Sequence, residues 1–123
     1  MTAQDVIIAS MRKLGIVASG ETPSSDELTT GLDALNEMVN NWNDVLARTL
    51  AGSYAAALYT FVPLQTFGAL STTLTGSAGL QRALVYNLAV DIGPEFGRAV
   101  PPEVAAIAEK AKMAILTLPA PVL

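Results

Sequence analysis

The feature that most constrains this chain is a run of apolar residues spaced alternately four and three apart: Leu28, Leu32, Leu35, Val39, Trp42 and Leu46. That spacing matches one face of an α-helix, so it predicts a helix whose face must be buried. Ser24 and Glu27 precede it as a capping box, each able to satisfy the other's free backbone N–H, and Pro23 can pack on Leu28 as a staple. Gly31 inside this helix costs about 1 kcal/mol relative to Ala. Either the cost is tolerated or another helix crosses closely there. Trp42 reads as core. The other side carries Asp26, Asp33, Glu37 and Asp44 with Asn36, Asn40, Asn41 and Asn43, and reads as a solvated face.

Three further helices flank this one. Thr2 and Asp5 form a weaker capping box ahead of Val6, Ile7, Met11 and Leu14. Gly15 can take the left-handed conformation that ends a helix, with Ile16 packing back on Met11 in a Schellman motif. Ser77 caps a helix to about Ile92, with Leu84, Leu88 and Ile92 on one side and Val85 and Ala89 nearby, and Gly93-Pro94 ends or kinks it. Pro102 suits a first helical position, followed by Val104, Ile107, Ala111, Ile115 and Leu118. Pro119 and Pro121 stop that helix and leave an apolar tail. The expected fold is mainly α: four helices at about 3–14, 25–46, 78–92 and 102–118, in one domain covering 1–123, with an arm at about 48–76 and a tail at 119–123. Leu58–Val62 favours a strand and Ser71–Thr75 a second one, so the arm reads as irregular or as a loose β-hairpin.

Composition narrows the chemistry. With no Cys and no His among 123 residues, disulfides, thiolate nucleophiles, Ser-His triads and the usual transition-metal sites are excluded. No catalytic residue, cofactor or metal is expected. Phosphate-binding and nucleophile-elbow motifs are absent, and the eleven carboxylates read as solvated. Seven basic residues, scattered and outnumbered, argue against tight nucleic-acid binding. The amino terminus does not read as a signal peptide. Thr49 to Gln81 holds no charged residue, but its nine Ser or Thr, four Gly and Pro63 argue for a partner-covered segment over a membrane span.

Three segments carry a resemblance: Val6–Ile16, Leu32–Trp42 with its Leu35-Asn36-x-Met38-x-x-x-Trp42 pattern, and Arg82–Gly97 with Tyr86-Asn87-Leu88-Ala89. In order and spacing they resemble the head-to-tail adaptor proteins of tailed bacteriophages, especially the packaged-DNA stabilisation or tail-accessory proteins of short-tailed phages. The resemblance implies a structural virion protein at the head–tail junction, present in the host cytoplasm during assembly. Such proteins form a twelve-subunit ring below the portal, lengthen the DNA channel, help retain packaged DNA and offer the tail a platform. It implies as partners further copies of the chain, the portal, a tail or nozzle protein, and double-stranded DNA passing without sequence-specific contact, with no membrane. The chain is shorter at its carboxyl end than some relatives, which leaves its reach along the portal open.

Within that frame the charge-free arm is expected against neighbouring subunits, with Leu58, Tyr59, Phe61, Val62 and Phe67 as interface candidates. Asp33, Glu37 and Asp44 are expected to face the DNA channel or open solvent, since carboxylates repel phosphates. Leu118, Pro119, Pro121, Val122 and Leu123 are expected to dock in a groove of the portal or between adjacent portal subunits, the alternative being a tail folded onto its own subunit or disordered; prolines pre-extend the segment and lower the entropy lost on binding. The competing readings are a small helical carboxylate-dependent hydrolase and a carrier of an apolar ligand.

Overall fold

The computed structural model describes residues 1–18, 20–52 and 62–116. Thr2 caps α1 (Ala3–Lys13): its side chain accepts from the Asp5 N–H while Asp5 accepts from the Thr2 N–H at 2.9 Å. That bond from the Thr2 backbone holds the Asp5 carboxyl below its ordinary pKa. Helix α1 ends in the expected Schellman motif, with Gly15 at φ 71° and the Ile16 N–H donating to the Met11 carbonyl at 3.0 Å.

Helix α2 (Ser25–Ala51) begins with the reciprocal Ser24–Glu27 capping box. Of its apolar stripe Leu28, Leu35, Val39 and Trp42 are buried together with Gly31 and Met38, while Leu32 and Leu46 are half-covered. Gly31 marks a close helix crossing: a Cβ there would lie 2.5 Å from Ile7 Cγ2 of α1. The helix runs five residues beyond the expected end near Leu46. Ala47, Arg48, Leu50 and Ala51 are all good helix formers, and the first breaker is the cap residue Gly52.

Helix α3 (Ala78–Ile92) is capped by Ser77 and packs against α1, α2 and α4. Helix α4 (Pro102–Leu116) opens on its proline and packs chiefly on α3. All four helices contribute to one hydrophobic cluster, with Ile7, Leu35, Leu84, Leu88 and Ile92 fully buried. The protein is thus mainly α. Among the described residues no helix is long and apolar enough to cross a membrane.

Of the two alternatives expected for the arm, the described residues 62–76 are irregular and form no hairpin among themselves. Ser71–Thr75, predicted as a strand, makes a single isolated bridge between Thr73 and Thr2. The segment is folded along α1, where the Ala3 and Gln4 N–H groups donate to Thr72 and Leu70 carbonyls and the Leu74 N–H donates to the Met1 carbonyl. Leu58–Phe61 of the other predicted strand and the tail 117–123 lie outside the described residues.

Candidate functional site

Two asparagines predicted to be solvated hold the 62–76 segment. The Asn36 amide donates to the Phe67 carbonyl at 2.7 Å and its oxygen accepts from the Phe67 N–H at 2.7 Å. Asn43, two helical turns on, does the same with Leu64, at 3.1 and 2.7 Å. Each clamp replaces the strand pairing that Leu64 and Phe67 would otherwise need, so their backbone is satisfied without a sheet. Gln65 adds a bond to the Thr73 carbonyl and accepts from the Thr75 N–H. Pinned this way, Phe67 is only 2% exposed and belongs to the core of its own chain. It was expected at a subunit interface; its ring is already covered from within, so it offers no surface to a neighbour. Val62, by contrast, is 77% exposed.

Beyond Trp42 no residue of α2 is buried, and Val45 is exposed while Leu46, Ala47 and Leu50 are half-covered. Helix α2, about 40 Å long at 1.5 Å per residue, therefore continues past the core it helps to build. The uncharged stretch Thr49 to Gln81 begins on this overhang.

A second feature is a cleft of about 370 Å³ between α2, α3 and α4, lined by Glu37, Asn41, Trp42, Asn87, Asp91, Glu95 and Lys112 among others. Asn87 is its fixed wall: the amide donates to the Ala83 and Ala108 carbonyls, both at 2.9 Å, and so ties α3 to α4. Partial burial raises the pKa of the Asp91 carboxyl, with Glu37 and Glu95 adding to the shift and Lys112 opposing it. Among the described residues no Asp or Glu cluster has the arrangement of a metal site. Of the three predicted channel-facing residues, Asp33, Glu37 and Asp44 are all exposed, and Glu37 shares this cleft.

The third feature lies on the other side of the buried line Val104–Ala108 of α4. There Ile107, Ala111, Ala114 and Ile115 line an apolar groove of about 430 Å³ with Gly79, and Arg82 and Lys110 bring charge to it. The Arg82 guanidinium and the Lys13 ammonium both stand 5.0 Å from the centre of the Tyr86 ring. Exposed contacts of this kind contribute about 0.5–1 kcal/mol each. No ion pair joins any two of the described residues.

Sequence reasoning missed the clamps because an asparagine on a polar face gives no sign of a partner some thirty residues away. A signal was present nonetheless: Asn36 and Asn43 repeat at seven residues, beside the apolar stripe rather than opposite it. Compared with models of known families and with curated proteins, the chain matches none.

Proposed function

We propose that this chain is a structural virion subunit, a head-to-tail adaptor that assembles as a ring below a portal, prolongs the DNA channel and provides the platform for the tail. The observation that carries the reading is the overhang of α2, where a helix leaves its own core with exposed or half-covered apolar residues and leads into a charge-free stretch. Exposed apolar surface such as that of Val45 is what a repeated contact with neighbours covers. The four-helix fold agrees with the resemblance of the three helical segments. Under this reading Val62 and the neighbouring Leu58, Tyr59 and Phe61 meet adjacent subunits. Asp33 and Asp44 face the channel, and the 118–123 segment docks on the portal. Hydrogen exchange of free and ring-bound chain tests the interface: residues 58–62 become protected only in the ring. Equal protection in both states removes the overhang as a contact.

The carboxylate cleft favours one second reading, a carboxylate-dependent hydrolase. A carboxyl whose pKa partial burial raises, as at Asp91, is shifted in the direction that a general acid requires. Turnover of ester, phosphoester or glycoside substrates that is abolished by Asp91→Asn, in a chain of unchanged fold, would establish that reading against the adaptor one.

A further inference from the structure

Helix α4 buries only Val104 and Ala108, and the linings of the hollows on the two sides of that line differ in sign, although α4 also carries the exposed Glu103 and Glu109. One side is the cleft, where Asp91 and Glu95 of the α3 corner gather with Glu37 around a single cation, Lys112. The other is the apolar groove bordered by Arg82 and Lys110, with Lys13 joined to Arg82 through the shared Tyr86 ring. Neither set is neutralised by ion pairing among the described residues. The two hollows are similar in size, about 370 and 430 Å³.

From this asymmetry we infer that the two sides of α4 are complementary halves of one head-to-tail contact, the acidic cleft side of one copy meeting the Arg82–Lys110 groove of the next. The partner is a second copy of this chain. A two-fold axis passing through either surface would place like charge on like charge there, whereas a head-to-tail contact places each charge beside its opposite. Repeated head-to-tail contacts close into a ring if the rotation between copies allows it. The groove supplies apolar area to bury, while the opposed charges set register and speed encounter. The inference rests on the adaptor reading only for closure into a ring; the pairing of faces rests on the charges alone.

The test is sedimentation velocity of the full chain at low and high ionic strength, with two variants. Asp91→Lys with Glu95→Lys makes both sides basic, and Arg82→Glu with Lys110→Glu makes both acidic. Glu95, Arg82 and Lys110 are exposed and Asp91 reaches solvent from a partly desolvated carboxyl, and circular dichroism checks that each variant keeps its helices. Wild type is expected to self-associate at low salt and to weaken as salt screens the contact. Each variant alone should associate at least about tenfold more weakly, and an equimolar mixture of the two should recover. A wild-type chain that stays monomeric at low salt, or a mixture no stronger than either variant, overturns the proposal. Rings that form unchanged on a portal from either variant remove this assignment of faces and leave the adaptor reading standing. Charge-swap recovery without any binding to a portal does the reverse.

Discussion

Helices α2 and α4 invert each other. On α2 the polar side next to the core is occupied, since Asn36 and Asn43 are half-buried and hold the backbone of Phe67 and Leu64. On α4 apolar side chains stand in the open: Met113 is 55% exposed, and Ala105, Ala106 and Ala114 are exposed too. Hydropathy therefore identifies what a face can bind, whereas coverage depends on which segment the fold brings to it. The α2 face is completed by its own chain. On α4, Ala105, Ala106 and Ala114 keep their exposure.

The contrast breaks most sharply at Phe67. If the 62–76 segment is an integral part of the core, Phe67→Ala should cost about 3–5 kcal/mol in urea unfolding, as large-to-small changes of buried aromatics do. A cost below about 1 kcal/mol would return this segment to the status of a detachable arm. The clamp comes next. Asn36→Ala deletes both bonds to Phe67 and leaves its N–H and carbonyl without their partner, for an expected loss of about 2 kcal/mol. Amide exchange at Phe67 should quicken with it, while exchange in α3 follows only the global loss.

The helical part of this architecture was legible because its determinants are local. Both capping boxes, the Gly15 turn and the starts of α3 and α4 each depend on residues within five positions of one another. The choice at Gly31 between tolerated strain and a close crossing was open in the sequence and is decided by Ile7, a residue of a different helix. The clamps, the fate of Phe67 and the cleft depend on contacts between distant segments, where residue type alone names no partner. Ser71–Thr75 had the composition of a strand but pairs with no strand among the described residues; the backbone of Met1 and Ala3 and the Gln65 side chain meet its backbone groups instead. Of the proposed site residues, the sequence identified Glu37 by its acidic stripe. Asp91, Glu95 and Arg82 gained meaning only when α4 separated them.

Smaller effects sharpen the comparison. Gly31→Ala gains helix propensity but must displace Ile7 Cγ2, so a net destabilisation of about 1 kcal/mol is expected. A stabilised Gly31→Ala would mean that α1 can slide. Asp91 supplies a test by pH. Its folded-state pKa is raised, so its neutral form favours the fold, and that contribution is complete below the ordinary carboxylate range and lost as pH rises through the raised value. Asp91→Asn should therefore match wild-type stability in acid and exceed it slightly at neutral pH, the gap opening above the ordinary value of 3.8. An unchanged gap from acid to neutral would show that Asp91 is not partly desolvated. On the exposed side of α4, Ala106→Ser should shift unfolding by no more than about 0.5 kcal/mol.

The adaptor reading itself is tested most directly by size-exclusion chromatography with light scattering, applied to the purified chain mixed with a portal ring from the same virion. The account predicts a joint peak whose mass corresponds to one chain for each portal subunit, with deletion of residues 119–123 weakening the association and leaving the helical fold intact. Separate elution of chain and portal at every concentration tried would contradict it.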